Sequence, residues 1–142
     1  EDLTLYGSQR GASNVITISG INEAIKRIIT VRHDASSTLL SCHTDTQGGS
    51  QFDEDDLLYI RITNLDGTNH VVLTLKNENN NEFAVKLDKG QSFIYNGDLD
   101  GGVKDTMDAE SSSLTVSLGD LVDITAKADT ASCDLEIFAA SK

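Results

Sequence analysis

LLYIRITNLD (residues 57–66), HVVLTLKN (70–77), EFAVKLDKG (82–90) and CDLEIFAA (133–140) each alternate apolar and polar side chains. Successive side chains of a β-strand point to opposite faces of its sheet, so this alternation is typical of half-buried strands. The whole chain contains no proline that would interrupt them. The pattern predicts an all-β protein that works through its surface.

Turn-forming residues separate these stretches from one another. Leu65–Asn69 contains Asp-Gly, a hairpin signal, Asn77–Asn81 is rich in asparagine, which tolerates left-handed backbone, and Gly90 supplies a further turn. These turns predict a four-stranded meander over residues 57–96. In the whole chain we predict eight strands, near residues 28–33, 37–43, 57–64, 70–76, 82–87, 92–96, 121–127 and 133–139.

Two long polar linkers, Thr44–Asp56 and Gly97–Ser113, separate groups of these strands. Long crossings between sheets are common in Greek-key sandwiches and jelly rolls. The sequence therefore predicts an antiparallel, jelly-roll-like β-sandwich of about eight strands. A single sandwich domain would span residues 21–142, and residues 1–20 would form an extended N-terminal arm with an edge strand.

The start of the sandwich, INEAIKRIITVR (21–32), fits two local structures. Ile21, Ala24, Ile25, Ile28 and Ile29 would share one helical face, whereas the β-branched run 28–31 favours a strand. We predict a short turn or helix over residues 21–26, followed by a strand from about residue 28 to residue 33.

The charge of the chain restricts its partners. It contains 23 acidic and 11 basic residues, a net charge of −12. A surface of this sign repels nucleic-acid phosphates and anionic membranes, so we expect neither as a partner. No apolar run approaches the ~18 residues of a membrane span, and no signal peptide is visible.

The two cysteines, Cys42 and Cys133, are in phase with the apolar positions of their predicted strands. We expect buried free thiols, since an inward cysteine behaves as a small apolar residue. A disulfide across the sandwich is the alternative.

Residues with catalytic or metal-binding chemistry show no recognised arrangement. His33, His43 and His70 lack the spacing of a helical zinc site, and Cys42 would need His33 or His70 nearby for catalysis. We therefore expect no catalytic residue, no cofactor and no enzymatic activity. Asp98, Asp100 and Asp105 flank glycines in the second linker and are candidate calcium ligands.

Three stretches resemble small virion structural proteins of tailed bacteriophages, particularly marine ones. They are YIRITNLDGTNHVVLTLKN (59–77), FAVKLDKGQSFI (83–94) and ITAKADTASCDLEIFAAS (124–141). The shared motifs are a strand ending in TNLD, a KLxxGxSF strand pair and a closing AxADTxSCDxE strand. The resemblance covers about two-thirds of the chain.

This resemblance implies a non-enzymatic jelly-roll subunit, such as a capsid decoration or cement protein or a head–tail or fibre-associated component. Its partners would be other virion proteins, for example the major capsid protein. The protein would assemble in the bacterial cytoplasm, where cysteines stay reduced. Closed symmetry favours a homo-oligomer, and a trimer is our first expectation.

Subunit or capsid contacts are predicted in the arm and at the start of the sandwich. The candidate interface residues are Leu3, Leu5, Tyr6, Arg10, Ile21, Ile25, Ile28 and Ile29. Plain core packing is the alternative for the isoleucines. The alternative function is a carbohydrate-binding or adhesion module on the same fold, assisted by calcium at Asp98, Asp100 and Asp105 or at the run 53–56.

Overall fold

The fold is an all-β antiparallel sandwich of two four-stranded sheets. The computed structural model describes residues 4–5, 8–9, 15, 17–42, 52–53, 56–95 and 121–142. Ten strands are formed in chain order: β1 (Thr4–Leu5), β2 (Ser8–Gln9), β3 (Glu23–Val31), β4 (Ser37–Ser41), β5 (Leu57–Asn64), β6 (Val71–Asn77), β7 (Glu82–Leu87), β8 (Ser92–Tyr95), β9 (Leu121–Ala128) and β10 (Cys133–Ser141).

The first sheet has the strand order β3-β10-β5-β8, and the second sheet has the order β4-β9-β6-β7. From β3 to β10, consecutive strands lie in different sheets except for the β6–β7 hairpin. Within the described ranges, the short strands β1 and β2 pair with each other and with no other strand. The core between the sheets is aliphatic, and its largest fully buried apolar side chains are Val31, Leu39, Leu40, Ile60, Ile62, Val71, Leu73, Leu75, Ile124, Leu135 and Ile137.

The eight strands of the sandwich confirm the eight predicted from the alternation, most of them to within one or two residues. The largest difference is at the first of them, where the predicted turn or helix over residues 21–26 is wrong. Residues 23–31 instead form β3, which pairs with β10 along its whole length. The apolar positions Ile25, Ile29 and Val31 fall on one face at a spacing of two, so they cover the core as a strand.

The predicted four-stranded meander is also wrong. β5 lies between β10 and β8, and β6 lies between β9 and β7, so the segment 65–70 crosses from one sheet to the other. A tight Asp-Gly hairpin would require a left-handed backbone at the glycine, but Gly67 does not have a positive φ. The β6–β7 turn does match its prediction, since Asn80 has a φ of 62°. Gly90 is also left-handed, with a φ of 70°, at the β7–β8 crossing.

The crossing after β5 is organised by two side chains, Asn64 and Asp66. Asn64 is completely buried, and its amide Nδ2 donates to the carbonyls of Asn69 (2.9 Å) and Leu87 (3.2 Å). Its Oδ1 accepts the backbone N–H of Asp66 at 3.0 Å. Its backbone bonds to Gln91 O and Gly90 N join the same point to the β7–β8 turn. A single buried amide thus holds two sheet crossings together.

The carboxylate of Asp66 makes the stability of the fold depend on pH. Its carboxylate accepts the backbone N–H groups of Asn69 (2.6 Å) and Thr68 (2.7 Å), and these bonds lower its pKa below the ordinary 3.8. A pKa that folding lowers adds stability above the ordinary value, and this stability is lost as the pH falls through the folded value. Between about pH 5 and pH 2, we expect the melting temperature of Asp66→Asn to fall less than that of the wild-type protein, as measured by circular dichroism. Parallel curves for the two chains would contradict this role.

Arg27 joins the two edge strands β3 and β4 on one side of the sandwich. Its backbone position pairs with the buried Ile137, so its side chain projects from the inner face of the first sheet. Its guanidinium donates to the carbonyl of Leu39 in the second sheet. Leu39 lies where the register of β4 shifts, so two consecutive leucines, Leu39 and Leu40, are both buried. An inward charge on an edge strand also disfavours uncontrolled pairing with other chains.

Both cysteines are free and buried, as predicted. The backbone N–H of Cys42 donates to Val122 at the start of β9, whereas Cys133 begins β10, after the turn that follows β9. The six residue-to-residue steps from Val122 to Ala128 extend over about 20 Å, which places the two cysteines beyond the reach of a disulfide. Burial raises the pKa of the Cys133 thiol, and the nearby carboxylates of Asp66, Asp134 and Asp129 raise it further.

Candidate functional site

The outward side of the first sheet carries large apolar side chains in solvent. Ile28 on β3 is 61% exposed, and Ile94 on β8 is 55% exposed. Between them the rings of Tyr59 and Phe138 pack edge to face, with centroids 5.8 Å apart. We call this surface the outer face of the first sheet, defined by Lys26, Ile28, Tyr59, Arg61, Ile94, Asp134, Glu136 and Phe138. Exposed apolar groups of this size on one sheet face are typical of interaction surfaces.

Strand register explains why these side chains meet. Lys26, Phe138, Arg61 and Ile94 lie side by side in one row across the four strands. Their neighbours along each strand point into the core, as the burial of Ile60, Ile62 and Ile137 shows.

A charge network lies at the centre of this face. Glu136 forms one ion pair with Lys26 Nζ at 3.1 Å and another with Arg61 Nη2 at 2.9 Å. The hydrogen bond from Lys26 and then that from Arg61 hold the pKa of Glu136 below its ordinary 4.5. Asp134, next along β10, accepts a hydrogen bond from Thr30 at 2.6 Å. The face therefore carries two positive and two negative charges, although the chain as a whole carries −12.

A shallow groove of about 380 Å³ continues this face toward the N-terminal arm. Ile18 and Ile21, from the segment that precedes β3, line the groove opposite Tyr59 and Phe138. The side chain of Ile21 is 45% exposed. The described residues 15 and 17–22 form no strand, so this part of the chain reaches the groove from outside the sheet.

The structure separates the predicted interface residues into two groups. Ile28 is exposed on the outer face and Ile21 is exposed beside it, so both side chains are accessible to a partner. Ile25 and Ile29 are half-buried and pack against the core, which is the arrangement that the alternative of plain packing describes. Leu3, Tyr6 and Arg10 lie outside the described residues, and for Leu5 only the backbone pairing of β1 is described.

Sequence reasoning missed the most useful residues of this face: Tyr59, Arg61, Ile94 and Phe138. A signal for them existed in the alternation itself. YIRIT and LEIFA each place an aromatic residue at a position that the period assigns to solvent. A large aromatic side chain at an outward position is a better interface marker than an isoleucine in an ambiguous segment, because aromatic residues and arginine are enriched at interfaces.

The other candidate chemistry is not assembled in the described part of the chain. His33 and His70 line one groove near the end of β9, whereas Cys42 is buried beside the start of β9. The calcium candidates Asp98, Asp100 and Asp105 lie outside the described residues, as do His43, Glu54 and Asp55. Within the described ranges, no three His, Cys, Asp or Glu residues are close enough to hold a metal ion.

Comparison with known proteins adds no assignment. No protein-family model matches the chain, and no curated protein matches it. Among the described residues, no helix has the length and apolar character needed to cross a membrane.

Proposed function

We propose that this protein is a non-enzymatic structural subunit that acts through protein–protein contacts made by the outer face of the first sheet. The observation that carries the proposal is the combination of exposed Ile28 and Ile94 with balanced charge on that face. Two copies with a charge of −12 each repel one another over most of their surface. They approach at the lowest cost where positive and negative groups are equal in number.

The resemblance in sequence narrows the proposal to a capsid decoration or cement subunit of a tailed-phage virion. The strand order supports a jelly roll, a two-sheet form common among capsid proteins. On this proposal the protein assembles in the bacterial cytoplasm and its partners are other virion proteins and further copies of itself, a trimer being the first expectation. The free cysteines are compatible with a reducing compartment.

The N-terminal arm is proposed to take part in the same contact. Ile18 and Ile21 lie at the edge of the outer face, in the groove that Tyr59 and Phe138 also line. An arm in this position can reach a neighbouring subunit and extend the contact beyond the sheet.

Light scattering after size-exclusion chromatography of the full chain tests this function. We expect a closed oligomer that dissociates on dilution, with a melting temperature that rises with concentration, because assembly stabilises the folded subunit. A chain without residues 1–14 should form a weaker oligomer. A full chain that stays monomeric at every concentration would contradict self-assembly.

The carbohydrate-binding alternative with calcium remains a prediction from sequence. Its proposed ligands are Asp98, Asp100 and Asp105, which lie outside the described residues, or the run 53–56, of which Asp53 and Asp56 are described.

A further inference from the structure

The second sheet carries a separate concave site on its outward side. We call it the histidine groove; its described lining is His33, Ser36, His70, Val72, Thr74, Lys127, Ala128 and Asp129. Its volume is about 480 Å³, within the range of small-molecule sites. It lies on the opposite side of the sandwich from the outer face of the first sheet, so it is independent of the assembly contact.

Three elements build this groove, and backbone hydrogen bonds hold them in place. Ala128 N donates to Arg32 O at 3.0 Å, which fixes the β3–β4 turn, with His33 and Ser36, against the end of β9. Asp129 N donates to His70 O at 3.2 Å, which fixes the start of β6 against the same strand. The site is therefore supported by the ends of the sheet.

The charges of the groove differ from those of the protein as a whole. Lys127, His33 and His70 line it, and Asp129 is the acidic residue of its described lining. His70 Nδ1 lies 3.6 Å from Asp129 Oδ2, so that carboxylate faces one imidazole. Within the part of the chain that the structure describes, Lys127 has no ion-pair partner. Lys127 beside two imidazoles favours an anion at this point, although the net charge of −12 opposes anions over the protein as a whole.

The remaining lining indicates what kind of anion fits. Val72, 36% exposed and directly opposite Lys127 in the strand register, gives an apolar floor. Ser36 and Thr74 place hydroxyl groups around it. The described lining has no Trp, Tyr or Phe ring, the side chains on which a neutral sugar usually stacks. A ligand with hydroxyl groups and one carboxylate would use the floor, the hydroxyls and the cations together.

We propose that the histidine groove binds a carboxylate-bearing ligand of about the size of one sugar-acid ring, and holds it more tightly at acidic than at neutral pH. Imidazole is the side chain that ordinarily gains its charge between pH 8 and pH 5. The charged groups around the imidazoles are Lys127 and Asp129 from β9 and its turn, the Arg32–Asp34 pair in the β3–β4 turn, and the Lys86–Asp88 pair from β7. In each of the last two pairs, the positive and the negative charge already neutralise each other.

Titration of the full chain with sodium D-glucuronate, followed by NMR, tests this site. We expect millimolar binding, about three- to fivefold tighter at about pH 5.5 than at about pH 7.5, as a partly exposed charge contact allows. At equal ionic strength, D-glucose should not bind, and acetate should bind more weakly than glucuronate. Absence of glucuronate binding, equal binding of glucose or acetate, or no dependence on pH would each overturn the proposal.

Two lysine variants separate a built site from general electrostatic attraction. Lys127→Gln removes the cation of the groove and should weaken glucuronate binding at least about threefold. Lys86→Gln removes the same charge from the neighbouring strand, where Lys86 already pairs with Asp88 at 3.0 Å, and should leave the affinity unchanged. Equal effects of the two substitutions would show that the anion samples the sheet without a site.

Discussion

Asn64→Leu should destabilise the protein by about 3 kcal/mol, one of the largest effects expected of a single polar substitution here. The leucine removes the donor for the carbonyls of Asn69 and Leu87 and the acceptor for the N–H of Asp66. Each buried group left without a partner costs about 1–3 kcal/mol, although such costs are not additive. In a domain of this size the melting temperature should fall by roughly 10 °C. Urea unfolding followed by circular dichroism measures the change.

Two further variants separate the hydrogen bonds from side-chain volume. Asn64→Asp keeps the size and one acceptor but turns a carboxylate oxygen toward two carbonyls, so we expect at least the same loss. Asn79→Leu, at an exposed position in the β6–β7 turn, should change the free energy of unfolding by no more than about 0.5 kcal/mol. If Asn64→Leu proved as stable as Asn79→Leu, the buried amide would not hold the two crossings together.

Ile28→Glu combined with Ile94→Glu should weaken assembly by roughly a hundredfold, because about 3 kcal/mol of apolar contact is lost and two charges are introduced. Both isoleucines are more than half exposed, so the folded subunit should keep its stability. Sedimentation velocity over a range of concentrations measures the association constant.

Val72→Glu is the matched control for this pair. It also puts a charge in place of an exposed apolar side chain within a strand, but on the outward side of the second sheet. It should leave assembly unchanged. Equal weakening by Val72→Glu would mean that added negative charge, and not the outer face of the first sheet, controls association.

The strands could be predicted from the sequence because alternation reports directly which side chains face a core. The pairing of the strands could not, because alternation gives the face of each strand and says nothing of its neighbours. The crossing after β5 shows the difference: Asp66-Gly67 suggested a hairpin, but the turn depends on side-chain acceptors at Asn64 and Asp66. Asn64 is held in this position by bonds to Leu87, Gly90 and Gln91, which are distant in the sequence.

The candidate site was predicted in part, for a similar reason. Ile21 and Ile28 belong to a segment whose helical and strand patterns overlap, so the sequence did not separate them from the core residues Ile25 and Ile29. Only the pairing of β3 with β10 assigns each isoleucine to a face. Likewise, His33 and His70 are 37 positions apart in sequence. They line the same groove because the segments that carry them are both bonded to the end of β9.

The most direct test of the central claim measures the accessibility of single thiols on the two sheets. Ile28→Cys and Val72→Cys, in separate chains, each add one exposed thiol to a protein whose own cysteines are buried, and the wild-type chain serves as the blank. The rate of maleimide labelling is compared between dilute and concentrated protein. We predict that concentration protects position 28 and leaves position 72 accessible. Equal labelling of position 28 in both states would contradict assembly through the outer face of the first sheet.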